Sequence, residues 1–172
     1  MKNVIKFILA LGLIFVMFGC ATKDTSSNKI DTSSDLKKAY IHSVVALNIE
    51  QIYTNHKGER VKLDQRIDAA FFRFLKKELR KRGIVLVNSQ DFPYTWRVDF
   101  KFTKFNASHK NGVFDGQMSG KLTLKNINYS KKFTINAKLN QEKVNKSEVS
   151  NKIDSLAQAL AIRAADHINQ LK

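Results

Sequence analysis

Cysteine and proline each occur once in the 172 residues, at Cys20 and Pro93, and acidic side chains are half as frequent as basic ones. One cysteine excludes an internal disulfide framework. The four histidines, His42, His56, His109 and His167, are scattered, and no two stand four apart as helical metal ligands do. No G-x-S-x-G elbow, phosphate loop or G-x-G-x-x-G run occurs. Val113–Lys121 holds two glycines, but inside a strand pattern these mark a bulge or a turn rather than a phosphate cradle. Asp64 and Asp68 share one helix face with bases nearby, which reads as a solvated ionic surface. The sequence therefore predicts no enzyme, no metal and no bound cofactor.

What is abundant is positive charge. Thirty Lys and Arg against fifteen Asp and Glu give a formal charge of +15, and the excess is not a tail, since residues 35–172 alone hold 26 bases and 13 acids. Such a surface attracts polyanions and acidic protein faces. The length suits one domain, and twelve Phe give its core bulk.

The one long apolar run explains the cysteine. Lys2 and Lys6 precede Phe7–Phe18, twelve residues without a polar side chain, followed by Gly19 and Cys20. This is the anatomy of a secretory signal. Spanning a bilayer takes about 20 apolar residues, so twelve fall short. The stretch Met17, Phe18, Gly19, Cys20 resembles the lipobox of bacterial lipoproteins: an aliphatic residue, a small one, Gly or Ala, then Cys. Gly19 and Cys20 match, Met17 is a tolerated substitute, and bulky Phe18 departs from the pattern. The resemblance implies cleavage after Gly19 and acylation of the Cys20 thiol and its new amino terminus, so the covalent lipid is the only prosthetic group expected. Several acyl chains anchor stably where one does not. Ala21, where Asp would retain a lipoprotein in the inner membrane, implies an outer-membrane location on the periplasmic face of a Gram-negative host.

Residues 21–34, ATKDTSSNKIDTSS, contain one large apolar residue, the composition of a disordered tether. As a flexible coil it spans about 20 Å, and fully extended about 50 Å. The expected organisation is a signal peptide over 1–19, lipidated Cys20 and tether over 20–34, and a single periplasmic domain over 35–172.

Within the domain, Ser43–Tyr53 is rich in β-branched residues and predicts a strand, ending in the turn cluster around Gly58. From Leu63 to Leu79 the apolar residues recur at three and four, which predicts a helix that Gly83 stops. Ile84–Val87 reads as a short buried strand. Beyond Pro93 the period becomes two: Trp96, Val98, Phe100 and Phe102, then Met118, Leu122 and Leu124, then Phe133, Ile135, Ala137 and Leu139 alternate with polar residues. A second amphipathic helix runs from Ile153 to Leu171. The order β-α-β-β-β-β-α predicts an α+β fold, a two-layer sandwich of mostly antiparallel sheet with two helices on one face. Its first strand, helix and second strand would form a right-handed crossover, and Trp96 belongs to the core.

Two basic surfaces are candidate anion- or partner-binding sites. One is the back of the first helix, with Lys76, Lys77, Arg80 and Lys81 joined by Arg73 and Arg82. The other is the open sheet face, with Arg97, Lys101, Lys121, Lys125, Lys132 and Lys138 interleaved with Thr and Asn. Each is also what a solvated helix back or an exposed sheet requires. No aromatic side chain joins the sheet face, which argues against single-stranded nucleic acid. The expected partners are the membrane, through the lipid anchor, and an envelope protein or an anionic lipid such as lipopolysaccharide.

The domain pattern, including LKKELRKRGIVLV (75–87), resembles small α/β-sandwich envelope lipoproteins, the YajG-like group and the lipopolysaccharide-assembly lipoprotein LptE. That resemblance implies a non-enzymatic assembly or adaptor component of an envelope machine. The alternative is a module that binds an anionic envelope polymer through the basic sheet face.

Overall fold

The structure is a computed structural model, and it describes residues 36–89 and 94–171. Cys20, the signal and tether segments, and Pro93 lie outside the described residues. Those described fall within one compact unit, Leu36–Lys172.

Among the described residues the fold is α+β, with seven strands and two long helices. The strands are β1 (Lys38–Val45), β2 (Ile52–Thr54), β3 (Arg60–Lys62), β4 (Val85–Val87), β5 (Trp96–Lys110), β6 (Val113–Lys125) and β7 (Ser130–Lys143). Helix α1 (Ile67–Lys81) joins β3 to β4, and α2 (Val149–Gln170) closes the chain after a single 3-10 turn at Lys146–Glu148.

Three strands, not one, precede the first helix. The β-branched stretch from Ser43 is interrupted because Asn48 takes a left-handed backbone (φ 62°), and a turn closes there from the Ile49 N–H to the Ala46 carbonyl. Strand β1 therefore ends at Val45, and the remainder of the stretch becomes β2. The polar cluster after it is a hairpin turn: the Asn55 side-chain oxygen accepts from the Lys57 and Glu59 N–H groups, and Gly58 supplies the positive φ. Helix α1 starts at Ile67, four residues after Leu63, where the Gln51 side-chain oxygen accepts from the Ile67 N–H at 2.9 Å. A side chain from a distant loop thus satisfies an orphan donor that the Arg66 N-cap leaves open. Asp68, expected on a solvated ionic surface, is buried against Arg66.

The sheet is mixed. Strands β5, β6 and β7 form a long antiparallel meander, whereas β1 is parallel to both its neighbours, β4 and β5. One edge of long β5 serves two partners: β1 along its first half and β2 at Ser108. Strand β4 ends the sheet on that side.

Alternation along β5 survives an irregularity. After Phe102 the register shifts, so Phe105, Ala107 and His109 turn inward like Trp96, Val98, Phe100 and Phe102 before them. The extra residue of a bulge does this by flipping the side-chain parity. Trp96 is core, 2% exposed.

The helices cover this inward set. Phe71 of α1 stacks on Phe100 with centroids 4.1 Å apart and meets Phe102 edge-on. A Cβ on Gly120 would lie 2.2 Å from the Phe100 ring, and one on Gly116 would lie 2.6 Å from Leu156 of α2. The two strand glycines flank register shifts, and they let aromatic and helix side chains approach the backbone. The helices are tied to each other through Arg73–Asp154 at 3.3 Å and Arg82–Asp166 at 2.6 Å.

Candidate anion- or partner-binding surfaces

On the outward sheet face the sequence-predicted cations are brought together in pairs. Lys101 lies directly opposite Lys121, and Arg97 directly opposite Lys125, across the β5–β6 ladder. Between these rows sits Asp99 opposite Thr123, which in turn faces Lys132 of β7. Like charges placed opposite each other in a ladder destabilise it. Lys101, Lys121, Lys125 and Lys132 are exposed and take part in none of the ion pairs of the described residues.

Arg97 differs from the lysines. Its Nε donates to Asp99 at 3.2 Å, and Asp99 also accepts from the Ser43 hydroxyl at 2.6 Å. His42 Nδ1 lies 2.7 Å from both Asp99 Oδ1 and Arg97 Nη2, so the ring can donate to one or accept from the other, according to its tautomer. Burial pushes the Asp99 carboxyl up, but the Ser43 and His42 hydrogen bonds and the Arg97 charge outweigh it, leaving the group below its ordinary range. Sequence reasoning missed His42 and Ser43, because β1 meets β5 only in the fold. Asp99 was legible: it stands two residues from Arg97 on one strand, hence on the same face.

Lys138 is separate from these rows. It lines a polar groove of about 510 Å³ at the far half of β5, with Glu50, Arg60, Asn106 and Asp115. Arg60 and Glu50 form an ion pair there.

The back of α1 is divided. Lys81 and Arg82 both bind the buried Glu78 carboxylate, at 2.7 and 2.8 Å, and Arg82 reaches on to Asp166. Hydrogen bonds from Lys81 and then Arg82 hold the Glu78 carboxyl below its ordinary value. Lys76 lies 4.6 Å over the ring of exposed Phe72, a cation–π contact. Lys77 and Arg80 are exposed, and their side chains have no ion-pair partner among the described residues. Lys76, Arg80 and Phe72, with Ile41, Leu86 and Val87, line a groove of about 270 Å³ between α1 and the β4 edge.

The histidines do not converge on a site. His109 is buried with Nε2 3.0 Å from the Val144 carbonyl, and His167 stacks on Phe133. Among the described residues no group of three or more His, Cys, Asp or Glu is placed to hold a metal ion, and no helix is long and apolar enough to cross a membrane.

Comparison with known proteins supplies the family. Two crystal structures share the fold: an uncharacterised protein at 18% identity, with a TM-score of 0.51 over 79% of this chain and 99% of that one, and a Xanthomonas campestris protein of the DUF330 family at 9% identity, with a TM-score of 0.54 over 76% and 81%. The outer membrane lipoprotein MapA of Campylobacter jejuni is 36% identical over 121 residues, 69% of this chain. The chain spans 55% of the length of those curated relatives. The family model for outer membrane lipoprotein MapA matches residues 4–171. The chain therefore belongs to the MapA family, and it is a lipid-anchored bacterial lipoprotein of the outer membrane.

Proposed function

We propose that this protein is a non-enzymatic adaptor of a cell-envelope machine, held at the outer membrane by acyl chains on Cys20 and docking an acidic segment of a protein partner. The observation that carries the reading is the groove beside the β4 edge. Among the described residues strand β4 has a neighbour on one side only, Val85 is 41% exposed, and Phe72 is 37% exposed beneath Lys76, with Arg80 alongside. An open strand edge offers backbone hydrogen bonds to an added strand. The aliphatic and aromatic lining offers side-chain pockets, and the two cations select for acidic residues. Family membership supports the membrane anchor, and the absence of any named enzymatic activity in that family fits a non-enzymatic role.

The test is crosslinking capture from outer membranes with Phe72→Asp and Val85→Asp. Loss of a stoichiometric partner in both variants, with the melting temperature retained, supports docking at the edge. Undiminished capture refutes it.

A second reading rests on the outward lysine rows. If the helix pair and the sheet are taken as two layers, the opposite sheet face is a platform on which paired, uncompensated lysines suit an anionic polymer such as lipopolysaccharide or an acidic glycan. Charge reversal at Lys101, Lys121 and Lys125 would abolish that binding and leave the edge intact. Binding that survives about 0.5 M salt excludes a mainly electrostatic site.

A further inference from the structure

The domain has one end at which the chain enters, and strand registers identify what else is there. Lys38, at the start of β1, pairs with Val85 at the start of β4, and Ala39 pairs with Trp96 at the start of β5. Arg97 pairs with Lys125 at the end of β6, which pairs with Ser130 at the start of β7. The β6–β7 turn, Asn126–Tyr129, therefore projects from the end of the domain where the chain enters at Leu36. Both helices finish there too: α1 stops just before β4, Arg82 binds Asp166 near the end of α2, and Lys37 Nζ donates to the Asn169 carbonyl.

This end differs chemically from the opposite one. Among the described residues its acids, Glu78, Asp99 and Asp166, are each ion-paired to bases of the domain. Lys125, Lys131 and Lys132 around the turn have no such partner among the described residues. At the far end both signs occur, with Glu59, Asp115, Glu142 and Glu148 among them. The helix C-termini add their negative dipole ends, which the basic residues of the last turns complement.

The turn itself is built to present apolar side chains. The Asn126 side-chain oxygen accepts from the Asn128 N–H at 3.0 Å and the Tyr129 N–H at 2.7 Å, and the Asn126 N–H donates to the Tyr129 carbonyl at 3.0 Å. These bonds fix the backbone without any help from the intervening side chains. Turn chemistry favours Gly, Asn, Asp or Ser at such positions. Here Ile127 is fully exposed and Tyr129 is 65% exposed, the most exposed aliphatic and aromatic side chains of the described residues. A fixed tip carrying one aliphatic residue and one Tyr, ringed by lysines, has the composition of an interfacial membrane anchor: apolar side chains enter the acyl boundary, Tyr sits at the headgroup level, and Lys meets lipid phosphates.

From this juxtaposition we infer that the Asn126–Tyr129 hairpin tip is a second membrane contact, which inserts Ile127 and Tyr129 into an anionic phospholipid surface and orients the domain with its chain-entry end toward the bilayer. The lipid on Cys20 confers proximity but not orientation, because fifteen residues separate Cys20 from Leu36 and a chain of that length can reach about 50 Å. The tip supplies the orientation. The inference rests on the outer-membrane anchoring and is independent of the partner at the β4 edge.

The test uses the full lipidated protein, purified from membranes and reconstituted into vesicles, with an environment-sensitive fluorophore on Ile127→Cys and, as the control from the opposite end, on Asn111→Cys. In vesicles containing phosphatidylglycerol, the probe at position 127 should shift to the blue and be quenched by quencher-bearing lipid, while that at 111 remains in water. Lys125→Glu with Lys131→Glu and Lys132→Glu should abolish the difference without changing the circular dichroism spectrum. Equal quenching at both positions would overturn the inference. So would a position-127 probe that is shielded only when outer-membrane protein or lipopolysaccharide is added, because the tip would then contact those and not phospholipid.

Discussion

Lys101 and Lys121 face each other directly across β5 and β6, on the side of the sheet turned away from the helices, and neither has an ion-pair partner among the described residues. Beyond the intervening Asp99–Thr123 row, Arg97 and Lys125 also set like charges opposite each other, with Arg97 paired to Asp99. Stability alone does not favour such rows, so reversing one charge should separate stability from binding. Lys121→Glu is expected to stabilise the fold by about 0.5 kcal/mol by replacing repulsion with a cross-strand pair. The same change should weaken any anionic ligand of this face. Thermal melting and a salt-dependent binding titration on the same preparation read both; a variant that melts lower contradicts the pairing.

Gly120 is required by its neighbour rather than by its backbone. A Cβ there would lie 2.2 Å from the Phe100 ring, and Phe100 is clamped between Phe71 and Phe102. Gly120→Ala should destabilise by about 1–3 kcal/mol through overpacking. Combining it with Phe100→Leu should recover part of that loss, which urea titration of single and double variants will reveal as non-additivity.

Phe71 joins the two kinds of element. It is wholly buried and stacked on Phe100, so Phe71→Ala should lower stability by about 3–5 kcal/mol. Phe71→Leu should lose distinctly less. The midpoint of urea unfolding measures both, with an unchanged slope showing that the fold itself persists.

Glu78 links α1 to α2 through Arg82. Hydrogen bonds from Lys81 and Arg82 hold its carboxyl below the ordinary value of 4.5, so the folded state binds its proton less readily than the unfolded chain. The stability it contributes is fully present above pH 4.5 and is lost as pH falls through the folded-state value. Asp68, held low chiefly by its hydrogen bond from Arg66, and Asp99 act in the same direction from 3.8 downward. Glu78→Gln should remove about 1 kcal/mol at neutral pH, a figure kept small because Lys81 is largely exposed, and should flatten the acid limb of the stability curve. Melting temperatures between pH 3 and 7, about the span of carboxylate titration, test the sign.

The local sequence determined much. The apolar period of three and four placed both helices, and alternation placed the inward residues of β5, β6 and β7, because burial of one face is a property of the segment itself. The lipobox-like stretch, with Ala21 after Cys20, pointed to the outer-membrane lipoproteins through local sequence alone. Boundaries were legible less well. The Ser43–Tyr53 stretch has strand composition throughout, yet Asn48 breaks it, and which side chain takes a left-handed backbone depends on the turn that neighbouring strands impose.

Only the tertiary structure decided which cations are free. Glu78 stands one helical turn before Lys81 and Arg82, a local pairing, but only long-range packing brings Asp166 to Arg82 and sets Lys121 opposite Lys101. It also decided that Lys125, Lys131 and Lys132 share an end of the domain with the entering chain, since register between strands distant in sequence sets that end. Charge is written in the sequence; what each charge faces follows from how the strands and helices are paired.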